Sequence, residues 1–239
     1  MSWKNTSAYF TFQCVRYAGN ISNFKRLFAY YGRWKNSFKP GRNSVADELP
    51  WLNFPALDFL EQYIQPDFKV FEFGGGGSTL YFCKKTSEVT TVEDHAAWFK
   101  TLTDTVKAKN NQNWNGLFIA PEPDPQAPGR SHINPDDFKS GAKGLEDVSY
   151  EHYARAIDAY PDQYFDLVLV DGRARPSCIQ QSVPKLKSGG LLVVDNTERS
   201  YYLTSFKEKL GNQFEKMVEM FAPVAYTPDF IMTSIYKKR

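Results

Sequence analysis

Four consecutive glycines, Gly74 to Gly77, separate an apolar run, Val70-Phe71-Glu72-Phe73, from a segment with helical spacing that starts at Ser78. This junction constrains the fold more than any other feature of the chain. A buried strand that turns at once into a helix needs backbone free of Cβ atoms. The free N–H groups at the start of that helix then form a site for a carboxylate or phosphate. The rhythm repeats downstream. Val89–Glu93 reads as a second strand followed by a helix over Ala96–Lys109; Leu117–Ala120, Phe165–Val170 and Leu191–Val194 read as the third, fourth and fifth strands. Helices are expected over Pro55–Ile64, Tyr150–Tyr160, Cys178–Leu186 (broken near Pro184) and 201–211, and strands near Met217–Phe221 and Ile231–Tyr236. Alternating apolar strands and helices predict a parallel sheet covered on both faces. The expected fold class is α/β: a seven-stranded, mostly parallel, doubly wound sheet with an N-terminal helical extension.

Sheets of this kind bind ligands at the carboxyl ends of their strands, so the residues just after each strand carry the functional reading. After the first strand stands Glu72-x-Gly74-x-Gly76, with Ser78 and Thr79 opening the helix; Thr79 holds the place of the third glycine of a dinucleotide fingerprint. After the second stands Glu93, nineteen residues past Gly74, followed by Asp94 and His95. An acid there can accept both hydroxyls of a ribose. Turn and acid together fit a nicotinamide dinucleotide and S-adenosylmethionine (SAM) alike, and a structural turn beside a surface acid is the third account.

The segment from Val70 to Leu80 resembles motif I of class I SAM-dependent methyltransferases, and Val89-Thr-Thr-Val-Glu93 resembles their acidic second-strand end. Phe165-Asp-Leu-Val-Leu-Val-Asp171-Gly resembles their fourth strand, Leu186-Lys-Ser-Gly-Gly-Leu-Leu-Val-Val-Asp195-Asn196 their fifth, and the chain's ending their closing antiparallel hairpin. The resemblance covers about residues 55–239. It implies SAM as cofactor, with Gly74 and Gly76 near its aminoacyl end, Glu72 near the methionine amine and Glu93 on the ribose. Ser78, Thr79, Asp94, His95 and Asp171 complete the expected cofactor set. Ser78 stands where a third glycine is frequent, and no clear acid follows the third strand, which leaves the adenine contact unassigned.

Asp171 at one strand end, with Asp195-Asn196 at the next, resembles the divalent-metal triad of catechol and caffeoyl-CoA type O-methyltransferases. Such oxygens suit a hard cation such as Mg²⁺, which lowers the pKa of a substrate hydroxyl and orients it; an Asp-Asn turn without metal is the alternative. Catalytic roles fall on Asp171 and on His132, a general base if the long proline-rich loop 121–149 closes. Arg173, Arg175 and Arg199 sit at the same sheet end, either clamping an anionic acceptor group or pairing with the loop acids Asp136, Asp137, Glu146 and Asp147. His152 is expected to be an exposed helix residue.

Charge divides the chain. Residues 1–45 carry eight Lys/Arg and no Asp/Glu, leaving 21 Lys/Arg against 27 Asp/Glu beyond them. The same stretch holds eleven aromatics, spaced as a helix from Ile21 to Phe38. The expected division is a basic aromatic extension over 1–50 and a SAM-binding domain over 51–239. The extension reads as a helical cap or homodimer contact, as an interfacial helix on an anionic membrane, or, least in keeping with a pI near 8.3, as a nucleic-acid arm. Cys14, Cys83 and Cys178 are widely spaced with no CxxC, which points to a reduced, cytoplasmic setting, with peripheral membrane contact open. No signal peptide is expected. The functional expectation is methyl transfer from SAM to oxygen of a small-molecule or glycan acceptor, with a divalent metal as a possible aid. A nicotinamide-dependent oxidoreductase and a non-catalytic scaffold acting through its N-terminal arm are the alternatives.

Overall fold

The computed structural model describes residues 6–239, so Trp3 and Lys4 of the basic aromatic stretch lie outside the described residues. The chain opens with five helices: α1 (Ser7–Ala18), α2 (Ile21–Phe28), α3 (Tyr31–Ser37), α4 (Ser44–Asp47) and α5 (Phe54–Tyr63). Side chains of Thr6, Asn20, Asn43 and Asn53 cap α1, α2, α4 and α5 by accepting a backbone N–H from the first turn. The helix expected from Ile21 to Phe38 is two helices. The break at Ala29-Tyr30 redirects α3, which seats the Trp34 ring 4.8 Å from that of Phe10, and the Trp34 indole N–H donates to the Thr227 carbonyl.

The sheet region follows as β1 (Lys69–Phe73), α6 (Gly77–Lys85), β2 (Glu88–Glu93), α7 (Ala96–Ala108), β3 (Trp114–Phe118), the two-residue strands β4 (Glu122–Pro123) and β5 (Val148–Ser149), α8 (Glu151–Arg155), β6 (Phe165–Val170), α9 (Arg175–Lys185), β7 (Leu186–Val194), α10 (Tyr201–Thr204), α11 (Lys207–Gln213), β8 (Phe214–Ala222) and β9 (Ile231–Lys238). The main sheet has seven strands in the order β3-β2-β1-β6-β7-β9-β8. The first five run parallel, and β9 lies antiparallel between β7 and β8. A dinucleotide-binding sheet of order 3-2-1-4-5-6 lacks this inserted antiparallel strand.

Boundaries differ from the sequence reading where glycine or tertiary pairing extends an element. β7 starts five residues early because Gly189, at φ +81°, lets the strand bulge and pair Leu186 with Phe165. β3 starts at Trp114, whose indole N–H donates to Thr91 across the strand pair. α8 is short and runs on as a 3₁₀ turn, Ala156–Ala159.

Period-two alternation in the strands loads both faces of the sheet. Val70, Leu167, Leu169, Leu191 and Val193 face one core with α5 and the N-terminal helices. Phe71, Val168, Val170, Leu192 and Val194 face the other, with Tyr153, Ile157 and Ile179. Phe10, Cys14, Leu27 and Trp34 belong to the first core, so the basic aromatic segment is built into the body of the protein; Phe12, Val15 and Ile21 stay exposed on its outer side. The three cysteines are buried and unpaired. Among the described residues, no helix is long and apolar enough to cross a membrane.

Candidate functional site

The chain leaves β1 for α6 and returns to β6 on the other side of β1, so strand order reverses between β1 and β6. A cleft of about 760 Å³ opens over that reversal. Its floor is the turn from Gly74 to Ser78, laid where the ends of β1 and β6 nearly touch. Gly74 has φ +87°, and a Cβ on it would lie 2.9 Å from the Gly172 Cα. Gly76, by contrast, faces the cleft: a Cβ there would meet nothing nearer than Trp98, 3.9 Å away.

Glu93 closes the β2 side. Its carboxylate accepts the Gly75 N–H at 3.1 Å with one oxygen and the Asp94 and His95 N–H groups at 3.1 and 3.0 Å with the other, while burial pushes its pKa up. Asp94 lies beside it in the cleft wall and accepts from the Tyr150 hydroxyl at 3.1 Å. Asp171, Gly172 and Arg173 form the β6 side.

Of the residues expected to bind a cofactor, Gly74, Gly76, Ser78, Glu93, Asp94 and Asp171 therefore meet around one cleft. Three others stand back from it. Glu72 is fully buried below the turn, where Ser78 and Thr91 hydroxyls donate to its two oxygens at 2.7 and 2.8 Å. Thr79 is buried and accepts the Gly76 N–H at 3.0 Å. His95 caps α7, its Nδ1 accepting the Trp98 N–H at 3.2 Å. These three shape the cleft without lining it.

The sequence reading missed Asn43, Ser44, Val45, Trp51, Trp98, Thr101 and Tyr226, which complete the lining. Trp98 was findable: it lies one helical turn past the Glu93-Asp94-His95 strand end, and its indole N–H donates to the Gly75 carbonyl at 2.8 Å. Nothing in the sequence connects Trp51 or Tyr226 to the turn.

Asp171, Asp195 and Asn196 do converge, but around Arg175. One guanidinium nitrogen donates to Asp171 Oδ1 at 2.9 Å and to the Asp171 carbonyl at 2.7 Å; the other donates to Asn196 Oδ1 at 3.2 Å and to the Asp195 carbonyl. Asp195 Oδ1 accepts from Thr233 at 2.6 Å. Burial pushes both carboxyls up and the guanidinium between them pulls both down. Among the described residues, no group of three or more His, Cys, Asp or Glu side chains could hold a metal ion.

His132 lies outside the cleft. With Arg173, Arg175 and Arg199 it lines an adjoining pocket of about 500 Å³ that shares Gly172, Arg173 and Arg175 with the cleft. The 121–149 loop is pinned by Lys139, which reaches Asp124 and the Val148 carbonyl, and it walls this second pocket without covering the first. His152 is exposed, 3.5 Å from Glu122.

No family model and no curated protein matches the chain. Solved structures do. A Streptococcus mutans protein described as a candidate methyltransferase, in complex with S-adenosylhomocysteine, superposes with a TM-score of 0.53 at 14% identity, over 77% of this chain and 96% of that one. A candidate rRNA methylase from Clostridium thermocellum gives 0.51 at 12% identity, over 77% and 93%. At such identity the likeness is one of fold: the chain has the class I methyltransferase α/β fold.

Proposed function

We propose that the cleft binds SAM and that the protein transfers its methyl group to an oxygen of a small-molecule or glycan acceptor. The observation that carries the reading is the meeting of the Gly74–Ser78 turn, Glu93-Asp94 and Asp171 around one cleft at the strand-order reversal. The turn and the start of α6 suit the aminoacyl carboxylate. Glu93 suits the ribose, and Trp98 offers an aromatic wall to the base. SAM would supply the methyl group, the acceptor oxygen bonding to the methyl carbon as its bond to sulfur breaks, with S-adenosylhomocysteine leaving and the acceptor proton passing to a base. Asp171, at the end of β6, is the carboxylate we assign to that role. It is oriented by Arg175, and catalysis here is chiefly alignment of donor and acceptor.

Mg²⁺ does not fit the triad suggested by sequence. The Arg175 guanidinium, which stays protonated, already bonds Asp171 and Asn196, and Asp195 turns to Thr233. A cation would have to displace it, so no step is assigned to a metal. The Clostridium neighbour is described as an rRNA methylase, but a fold likeness does not transfer an acceptor.

Calorimetry with S-adenosylhomocysteine and, separately, NADH tests the reading. Saturable S-adenosylhomocysteine binding is expected, unchanged by EDTA and weakened about tenfold or more in Glu93→Ala. No binding at high micromolar ligand sinks it; NADH binding instead would favour an oxidoreductase, and neither would favour a scaffold.

A further inference from the structure

The pocket beside the cleft is lined by His132, Lys139, Arg173, Arg175 and Arg199, with Tyr201 and Tyr202 and no carboxylate among its lining residues. The cations differ in how they are neutralised. Lys139 lies 3.3 Å from Asp124, Arg173 3.6 Å from Asp94 and Arg175 2.9 Å from Asp171. Among the described residues Arg199 forms no ion pair: on an exposed residue, its guanidinium donates to the Tyr202 hydroxyl at 2.9 Å and lies over the Tyr202 ring. The loop acids Asp136, Asp137, Glu146 and Asp147, the partners that sequence offered, pair with none of the three arginines. His132 packs edge-on against Tyr201, with ring centroids 4.9 Å apart, on the same rim. A concave pocket whose walls carry these cations and no carboxylate has the electrostatics of an anion site.

We propose that this pocket binds an anionic group, a phosphate or carboxylate, with Arg199 as its principal contact and Arg173 and His132 beside it. Guanidinium matches both anions by paired hydrogen bonds. Because the pocket shares Gly172, Arg173 and Arg175 with the cofactor cleft, an acceptor anchored there by its anion presents its hydroxyl across the turn after β6, next to Asp171. The substrate class is thus a phosphorylated or carboxylated hydroxy compound. That last step rests on the methyl-transfer reading; the anion site does not.

The test uses the full chain at constant ionic strength. Inorganic phosphate and acetate are titrated separately, with chloride as control, and thermal melting is followed. A saturable rise in melting temperature beyond chloride is expected with at least one of them. The apparent affinity falls about ten- to a hundredfold in Arg199→Ala and recovers in part in Arg199→Lys, while Lys100→Ala, at an exposed pair with Asp104, leaves it unchanged. S-adenosylhomocysteine affinity, measured on the same samples, stays the same in all three variants. The arm that responds tells phosphate from carboxylate. No shift beyond chloride with either anion, or equal affinity in Arg199→Ala and the unmodified protein, overturns the proposal. Loss of S-adenosylhomocysteine binding alone would overturn the cofactor reading and leave the anion result standing.

Discussion

Glu72 shows what a single residue does to this fold. Its side chain is fully buried, forms no ion pair among the described residues and accepts from the Ser78 and Thr91 hydroxyls. Burial pushes its pKa up to about 7, from an ordinary 4.5, against the pull of the Thr79, Ser78 and Thr91 hydroxyls. The sign of the linkage follows. Below about 4.5 both folded and unfolded chains hold the proton and Glu72 contributes nothing to pH dependence. As pH rises toward 7 the unfolded chain releases its proton while the folded one keeps it, so stability falls; above 7 the loss is complete, at about 3 kcal/mol. Glu72→Gln keeps the shape and removes the ionisation. Urea unfolding is expected to give similar stabilities for the two proteins at pH 4.5, and a variant more stable by about 2–3 kcal/mol at pH 8. A difference that does not grow with pH would mean that Glu72 ionises freely within the fold.

At the scale of elements, the site depends on how closely β1 and β6 end. A Cβ on Gly172 would lie 2.0 Å from the Tyr153 hydroxyl, which is buried with no hydrogen-bond partner among the described residues. Gly172→Ala is therefore expected to cost about 2–4 kcal/mol. Tyr153→Phe alone should stay within about 1 kcal/mol of the unmodified protein, since its hydroxyl gives up no partner. In the double variant the two changes should couple by about 1–2 kcal/mol, measured by urea unfolding, and simple additivity would show that the hydroxyl is not the obstacle. Sequence made the strands legible because their apolar period and the glycine turn are local signals. It could not rank the three arginines. Arg175 turns inward because Ala174, in a left-handed conformation at φ 42°, starts α9 with Arg175 aimed at Asp171, while Arg173, just before it, pairs with Asp94 in the cleft wall. Trp51, Asn43 and Tyr226 reach the cleft only through tertiary packing, which leaves no pattern along the chain.

For the whole molecule, the residues before the sheet pack as part of its frame. The charge split reads as two parts with different tasks, but the buried atoms read otherwise. Phe10, Leu27 and Trp34 share a core with Leu60, Val70, Val193 and Phe230. The end of the segment also reaches the cofactor turn. A Cβ on Gly77 would lie 2.2 Å from the Ser44 carbonyl, and Glu48 pairs with Lys84 of α6 and with Lys109 just past α7. Removing residues 1–38 would bare the apolar side of α5 and Phe230 and leave α4 without the helices that precede it. Such a chain is expected to aggregate or to bind S-adenosylhomocysteine far more weakly than the full protein. Trp34→Ala is the milder form of the same test. It leaves a cavity and orphans the Thr227 carbonyl, at about 3–5 kcal/mol, while keeping every cleft residue. Calorimetric melting of this variant should show one transition, lowered in temperature and raised again by S-adenosylhomocysteine as ligand linkage requires. A truncated chain that folds and binds with undiminished affinity would make the N-terminal helices an appendage, and would return their basic aromatic surface to the partner-binding readings.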